Sequence, residues 1–367
     1  MQICICRISV KIKIGDITKI RTGKLDANAA DENGQYPFFT CSKEPLKINK
    51  YSYDCECVLV AGNGDLNVKY YNGKFDAYQR TYIIEDDSDE LLFMPYLYFF
   101  MESYIDELRK QSIGGVIKYI KLKNLTDALI ELPSIEVQRK IVNIISKSKE
   151  IVRKKESEFE LLDELVRARF VEMFGDPVIN PKGWETISIG DECYYIKDGP
   201  HKSLPDIGRD NGGHPFISVR NIVNGYIDFS DARYISDEDY YDSIKKCHPE
   251  KGDMLYSKGG TTGIAKLIDI DEPFANWVHV AVLKFDKSRL NGIFFENMLN
   301  GDYCYSQSQR LTKGIANRDL VLSAMAQIKF YCPPLELQNQ FASFVQEVDK
   351  SRLLSNHSLS LIKSITF

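Results

Sequence analysis

Apolar and long aliphatic side chains recur at alternating steps of four and three along residues 135–175. The stretch contains no proline and no glycine before Gly175, so nothing in it interrupts a helix. Roughly 40 residues make a helical rod of about 60 Å. The pattern predicts a long helix whose heptad seam needs a packing partner. The seam positions are Ile141, Ile145, Ser148, Val152, Lys155, Phe159, Leu162, Val166, Arg169 and Met173.

The partner segment lies in the same chain, because the sequence repeats itself at an offset of 200 residues. Pro133–Gln138 (PSIEVQ) matches Pro333–Gln338 (PPLELQ) in character at every position. The same offset carries the seam of the first helix onto a segment that begins near Pro334. We predict that the two helices pack antiparallel through one set of apolar residues on each. The first set is Ile141, Ile145, Val152, Phe159 and Leu162, and the second is Phe341, Val345, Val348, Leu359 and Ile362.

A similar module precedes each long helix. Short runs rich in Tyr, Phe, Val and Ile are separated by turn signals such as Asn72-Gly73 and Asn224-Gly225, and an amphipathic helix follows. The second module carries about 25 more residues than the first, most of them between Pro215 and Gly259. The predicted fold class is α+β: two similar, mixed but mostly antiparallel modules, separated by two long helices that form an antiparallel coiled coil with pseudo-twofold symmetry.

The repeat and the linker signals predict four segments. Gly175, Asp176-Pro177 and Asn180-Pro181 end the first long helix. The predicted boundaries are 1–133 for the first module, 134–175 for the central helix, 176–333 for the second module and 334–367 for the C-terminal helix.

Composition narrows the class of protein. A net charge of −5 argues against a general polyanion binder, although cationic groups gathered on one face remain possible. No run of 18 apolar residues occurs, so a transmembrane helix is not expected. Residues 1–12 are interrupted by Arg7 and Lys11, which favours a first strand over a signal peptide and predicts a cytoplasmic protein.

The nine cysteines are predicted to be reduced structural thiols, because their number is odd and no export signal is expected. The pairs Cys4/Cys6 and Cys55/Cys57, together with Cys41, leave a zinc site as the alternative. Cys-x-x-Cys spacing is missing, so no metal is predicted.

Catalytic and nucleotide-binding motifs are not found. Val58–Asp65 (VLVAGNGD) lacks the third glycine and the helix of a phosphate loop, so a hairpin turn is favoured. The glycine-rich Gly259–Gly263 is not followed by Gly-Lys-Ser/Thr, and the chain has no Asn-Pro-Pro-aromatic motif of an amino-methyltransferase. We predict no catalytic residues and no cofactor.

What remains are polar and basic side chains on predicted loops, of the types that read base edges and hold phosphates. In the first module the candidate DNA-binding residues are Lys43, Lys47, Asn63, Asn67, Lys69, Tyr78, Gln79 and Arg80. In the second they are Lys202, Ser203, Arg209, Arg220, Asn221, Lys258, Thr261, Thr262, Asn276, Trp277 and Arg318. Two alternatives stay open: Gln79 and Arg80 could pair locally within a strand, and the glycines of 259–263 could approach either the protein's own backbone or that of DNA.

With these segments identified, the sequence closely resembles the specificity (S) subunits of type I restriction-modification systems. The resemblance covers nearly the whole chain. Its most specific parts are RARFVEMFGDPVINPKGWE at residues 167–185, the helix openings LPSIEVQRKIV and PPLELQNQFASFV, and SKGGTTGIAKL in the second module.

The resemblance implies that each module is a target-recognition domain that reads one half of a split sequence in double-stranded DNA. It also implies that the helices bind two DNA methyltransferase (M) subunits, that restriction/translocase (R) subunits complete the enzyme, and that this chain is a non-catalytic subunit without a cofactor or a membrane partner. The alternative is a duplicated coiled-coil protein-interaction scaffold without DNA specificity.

Overall fold

The computed structural model describes residues 10–315 and 317–366 of the chain. Residues 1–9, with Cys4 and Cys6, and the side chains of Leu359 and Ile362 lie outside what is described. The chain divides into two compact units, one made of residues 1–156 with 358–367 and the other of residues 157–357.

The elements of the first unit are β1 Val10–Lys13, β2 Thr18–Thr22, β3 Tyr36–Phe39, β4 Leu46–Ile48, β5 Tyr53–Ala61, β6 Val68–Ala77, β7 Thr81–Asp86, α1 Met94–Gln111, α2 Leu122–Thr126 and β8 Leu129–Leu132. Six of the strands form a sheet in the order β2-β7-β5-β6-β3-β4, and β1 and β8 form a two-stranded ribbon. All neighbouring strands pair antiparallel except β3 and β6, which are parallel.

Helix α1 covers one face of this sheet. Its buried residues Leu97, Met101, Ile105 and Leu108 recur at steps of three and four, so they form one apolar stripe. They pack in one core with Val58, Val60 and Ile84 of the two central strands. Of the segment Val58–Asp65, the first four residues end strand β5 and the rest begin the turn to the antiparallel strand β6, so the predicted hairpin is confirmed.

The long helix α3 (Ile135–Phe174) leads from the first unit into the second. The elements that follow it are β9 Glu185–Ser188, α4 Ile189–Glu192, β10 Cys193–Asp198, β11 His214–Ile217, β12 Arg233–Ile235, α5 Asp237–Lys246, β13 Met254–Ser257, β14 Ala265–Leu267, β15 Ala275–Asn276, β16 Val280–Phe285, α6 Gly292–Asn300, α7 Asp302–Leu311, α8 Leu322–Met325, β17 Lys329–Cys332 and α9 Leu335–Thr366. The strands repeat the architecture of the first unit in two sheets, of order β10-β16-β13-β14 and β12-β11-β15, and a ribbon of β9 and β17.

The extra residues of the second module lie where the sequence predicted them. They lengthen the connection from β11 to β12 and add helix α5 between β12 and β13. In the first module the single strand β6 pairs with both β5 and β3. In the second module two strands take its place: β14 pairs with β13, and β15 pairs with β11. Two repeated, mostly antiparallel α+β modules are therefore confirmed.

The sequence predicts one amphipathic helix after the strands of each module, and in the second module this is wrong, because two helices, α6 and α7, meet at Gly301. The side-chain amide of Asn300 accepts from the backbone N–H of Ala265 at 2.8 Å and donates to its carbonyl at 2.9 Å. This pair of bonds holds the end of α6 on strand β14, and the chain bends at the following glycine.

Within the second unit, α3 and α9 run antiparallel. The ring centroids of Phe170 and Phe341 lie 5.4 Å apart, and Arg352 donates to Asp163 at 2.6 Å. A later position on α9 therefore lies opposite an earlier position on α3, as antiparallel packing requires. Phe341 is fully buried and also meets Phe174. Neither Phe170 nor Phe174 is in the predicted packing set. Both contact Phe341 because the antiparallel arrangement brings the end of α3 to the start of α9.

The predicted seam positions on α3, including Ile141, Ile145, Val152, Phe159 and Leu162, are half-buried, and Ile144 and Ile151 between them are exposed. The residue-by-residue pairing and the pseudo-twofold relation stay predictions. None of the helices that the structure describes has the length and apolar character needed to cross a bilayer.

A buried glutamine ties the start of α3 to the first module. The Gln138 side chain is fully buried. Its amide N–H groups donate to the carbonyls of Leu91 and Pro133, each at 2.8 Å, and its oxygen accepts from the backbone N–H of Phe93 at 2.8 Å. These three bonds use both donors and the acceptor of one side chain.

Gln338 makes the same contacts at the start of α9. Its oxygen accepts from the backbone N–H of Asn291 at 2.8 Å, and its amide donates to the carbonyls of Arg289 and Pro333 at 3.0 and 2.7 Å. The repeat in sequence is therefore also a repeat of a buried hydrogen-bonded joint.

We expect Gln338→Ala to lower the free energy of unfolding of the second unit by about 2–4 kcal/mol, because it leaves a buried N–H and two carbonyls without partners. Both tryptophans, Trp184 and Trp277, lie in this unit, so urea unfolding followed by tryptophan fluorescence reports on it. The exposed Gln346, on the same helix, provides the matched Gln346→Ala control. Equal losses in the two variants would contradict the proposed role of the joint.

Candidate nucleic-acid interface

Three loops of the first module meet at one end of its sheet. They follow β3, connect β5 to β6, and connect β6 to β7. The backbone N–H of Gly62 donates to the Arg80 carbonyl at 2.7 Å, and Asn67 donates through its side chain to the Cys41 carbonyl at 2.8 Å. These bonds bring together candidates that lie far apart in sequence.

Several first-module candidates serve to hold these loops. Asn67 also donates to the carbonyl of Asp65 at 2.9 Å and accepts from the ammonium group of Lys69. Burial lowers the pKa of Lys69. Lys43 is exposed and lies 3.8 Å from the Asp65 carboxylate, and Asn63 is half-buried. Asn67 and Lys69 therefore shape the cluster from within.

The side chains of Gln79 and Arg80 are exposed in the turn that follows β6, so they do not pair within a strand. Neither side chain makes a hydrogen bond or ion pair with the described part of the chain. Tyr78, beside them, is half-buried. Lys47 lies apart from this turn on the edge strand β4, where it is exposed and equally unpaired among the described residues.

In the second module, Lys258 is directed inward. Its ammonium group lies 2.9 Å from the carboxylate of Asp319 and 3.6 Å from that of Asp198, and 7% of its side chain is exposed. Asp198 also receives Lys246 at 2.9 Å. These ion pairs hold the glycine-rich loop in place. Lys258 therefore positions the loop and does not point outward to a ligand.

Thr262 and Arg318 are joined to the same loop. The Thr262 hydroxyl is 2.9 Å from that of Thr312 and is approached at 3.4 Å by the Arg318 guanidinium group, which also donates to Gln309. Thr261 is exposed. Arg318 is exposed at the surface, whereas Thr262 is buried.

The close approaches of the glycine-rich loop are to atoms of this chain. A Cβ at Gly259 would lie 2.2 Å from Nδ1 of His279, and one at Gly263 would lie 2.1 Å from Oγ of Ser308. Gly263 also has a φ of +89°. The loop also approaches the protein's own backbone, one of the two alternatives that the sequence left open: the backbone N–H groups of Gly259 and Gly260 donate to the carbonyls of His279 at 3.3 Å and of Arg318 at 3.0 Å.

Of the remaining candidates, Trp277 adjoins the glycine-rich loop, because its ring centroid lies 5.0 Å from that of His279, and the others lie elsewhere. Lys202 pairs with Asp242 of α5 at 3.3 Å, and Arg220 with Asp231 at 3.4 Å. Ser203 and Arg209 are exposed. Asn221 and Asn276 are each 1% exposed; the side-chain amide of the first donates to the carbonyl of Asp228 and that of the second to the carbonyl of Val280. Trp277 is half-buried, with the Arg233 guanidinium 5.7 Å from its ring.

Two exposed loops carry aliphatic side chains that were not singled out from the sequence, although Arg318 of the second loop was a candidate. Backbone bridges join Ile113 to Tyr119 and, at the offset of 200, Lys313 to Asp319, and each loop presents an aliphatic side chain to solvent. The sequence signal was a glycine at equivalent positions, Gly114 and Gly314, each followed within three residues by Val or Ile. In the structure both glycines have a positive φ.

The described residues contain no group of three or more side chains suited to hold a metal ion. Burial raises the pKa of Cys247 to about 11 and those of Cys193 and Cys304 to about 12. These three thiols therefore stay protonated at neutral pH.

Lys258→Ala is expected to lower the free energy of unfolding of the second unit by about 3 kcal/mol, because it leaves the buried Asp198 carboxylate short of one partner. Lys251→Ala, which removes an exposed pair with Asp271, is the matched control and should cost at most about 1 kcal/mol. Tryptophan fluorescence during urea unfolding measures both. A loss no larger than that of the control would show that the ion pairs do not fix the loop.

Sequence comparison places both modules in one family. The sequence model of the type I restriction modification DNA specificity domain matches residues 9–161 and again residues 181–364. The specificity subunit of the type I restriction enzyme EcoDI of Escherichia coli is 45% identical over 123 residues, a match that spans 34% of this chain and 27% of that subunit. The MjaVIII specificity subunit of Methanocaldococcus jannaschii is 22% identical over 92% of this chain and 85% of its own length.

Solved structures share the fold. The S subunit of a type I restriction-modification system from M. genitalium superimposes with a TM-score of 0.64 at 16% identity, over 100% of this chain and 96% of that one. A chain from a structural study of complex assembly and conformational transition of the type I R-M system gives 0.53 at 15% identity, over 98% and 95%. The chain thus belongs to the type I restriction-modification DNA specificity family, with two copies of the family's domain.

Proposed function

We propose that this chain is the specificity subunit of a type I restriction-modification system and that each module reads one half of a split target in double-stranded DNA. The observation that carries the proposal is the duplication itself. The same buried glutamine joint and a corresponding strand arrangement, one sheet in the first module and two sheets in the second, support the loops of each module, and the loops differ between the two. A repeated scaffold with divergent loops suits two readings of different sequence.

The proposed target-recognition domains are residues 1–133 and 176–333, and the proposed spacer helices are residues 134–175 and 334–367. In the first domain Gln79 and Arg80 have the side chains that make bidentate contacts with base edges, and Lys47 is suited to a phosphate. In the second domain the exposed Ser203, Arg209 and Thr261 are the corresponding candidates.

We propose that two methyltransferase subunits dock on the long helices and that restriction/translocase subunits complete the assembly. Support comes from apolar side chains of α3 that the described part of the chain leaves exposed. Ile144, Leu161 and Leu165 are 56%, 62% and 48% exposed, which is unusual for large aliphatic residues of one helix. The specificity chain itself is proposed to be non-catalytic and to act in the cytoplasm, where its DNA target is accessible.

A salt titration separates DNA reading from a protein-interaction scaffold. Binding of the chain, co-expressed with its methyltransferase, to a random-sequence duplex should weaken steeply as salt rises, because phosphate contacts release counterions. Lys47→Ala should reduce the slope of log K against log salt by about 0.9 if Lys47 holds one phosphate. The control is Lys251→Ala, because Lys251 precedes β13 whereas the glycine-rich loop follows this strand. Binding that does not depend on salt would favour the scaffold.

Exchanging one module should change one half of the recognised sequence. Replacing residues 1–133 by the matching segment of another specificity subunit is expected to alter one half-site, and replacing residues 176–333 the other, because each module carries its own loops and core. Single-molecule methylation mapping of the host DNA gives both half-sites. A change in both halves from one exchange would rule out independent reading.

A further inference from the structure

Both modules project a small closed loop at the same position. In the first, Ile113 and Tyr119 exchange backbone hydrogen bonds of 3.0 and 2.9 Å, and in the second, Lys313 and Asp319 exchange two of 2.9 Å. At Gly114, whose φ is +113°, a Cβ would lie 2.5 Å from the carbonyl oxygen of Ile117, so this tight turn requires glycine. The two ends of each loop are thus joined by backbone hydrogen bonds within the chain.

The tips of these loops are apolar and exposed. Val116 and Ile117 are 103% and 62% exposed in the first module, and Ile315 is 100% exposed in the second. Polar residues would close the same turns without exposing aliphatic surface to water. Burying one such side chain in an interface raises binding affinity by roughly 10- to 100-fold. A partner that covers these tips would therefore bind more tightly.

Cationic side chains flank the tips. Lys118 and Lys121 follow Ile117, and Lys313 precedes Ile315 in the second loop. All three are exposed, and none forms an ion pair within the described part of the chain. Most other lysines of the second module, by contrast, are paired with carboxylates. An exposed aliphatic group with an unpaired lysine close to it in sequence matches a ligand that is polyanionic outside and apolar inside, as DNA is.

The loops lie on the side of the module that carries the candidate residues. The backbone N–H of Gly64 donates to the Lys118 carbonyl at 2.9 Å, which attaches the first loop to the turn containing Asn63. Helix α1, with 18 residues or about 27 Å, separates this loop from the Gln138 joint at the start of the long helix. The tip is therefore remote from the base of the helix on which a methyltransferase is proposed to dock.

We propose that these two tips are DNA contacts: Val116 and Ile117 in one half-site and Ile315 in the other press against the apolar surface of the bases, and the flanking lysines hold the adjacent phosphates. The proposal rests on the function proposed above. It assigns to the closed loops a part of recognition that hydrogen-bonding residues do not supply, because an aliphatic contact senses thymine methyl groups or the ease of opening a base step.

The test uses the full chain with its co-expressed methyltransferase and duplexes that the wild-type complex enriches from a random library. Val116→Ser/Ile117→Ser should weaken binding at least 10-fold. The salt slope should stay unchanged, because the lost contact releases no counterions. Lys118→Ala/Lys121→Ala should instead reduce the slope by up to about 1.8. The matched control is Val178→Ser/Ile179→Ser, an identical pair in the linker that is 71% and 70% exposed.

Uracil in place of thymine in the duplex distinguishes the two modes of contact. Loss of wild-type affinity assigns the tips to thymine methyl groups, and retained affinity assigns them to a wedge at a base step. Binding of the tip variant equal to that of the linker control overturns the proposal. Loss of co-purifying methyltransferase from the tip variant also overturns it, since the tips would then be a protein-docking surface. If the wild-type complex enriches no duplex, the function proposed above fails first.

Discussion

The buried glutamine at the fourth position of each long helix is the contact on which both modules depend. A side-chain amide can satisfy one backbone N–H and two carbonyls at once, whereas a glutamate would turn a second acceptor towards those carbonyls and an apolar residue would satisfy none. Gln138 and Gln338 thereby join three segments: the residues that precede the helix covering the sheet, the start of that helix, and the proline-containing connection that leads into the long helix.

Because the joint lies at one end of the module, the other end is free to vary. In the first module the loops at that end are held by side-chain bonds to the backbone, as from Asn67 to Cys41. In the second the same place is held by Lys258 between two carboxylates. Helix α5 and the division of the β6 equivalent into two strands enlarge the second module without changing the joint. A constant base with differently supported loops is what a pair of readers for two unlike sequences requires.

The sequence made the duplication, the long helices and the mostly antiparallel modules predictable, because heptad spacing and repeated turn signals are local patterns. It could not show that Lys258 is buried, since Asp198 and Asp319, its partners, are about 60 residues away on either side. The buried amides Asn221 and Asn276 were taken for surface groups, although they donate to the nearby carbonyls of Asp228 and Val280, because a polar residue type does not reveal its burial in the fold. The apolar tips were missed because an isolated valine or isoleucine in a sequence looks like a core residue until its surroundings are known.

The use of charge in the second module bears on how such a chain can discriminate. Lys258, Lys266 and Lys284 are each held by two carboxylates, so these cations stabilise the module and contribute little to a field outside it. With a net charge of −5, the chain gains little from long-range attraction to phosphates. Non-specific affinity, which rests on that attraction, is then low. Recognition by this chain must therefore rest largely on short-range contacts that depend on sequence, and partner subunits would add to the few phosphate contacts proposed for its own lysines.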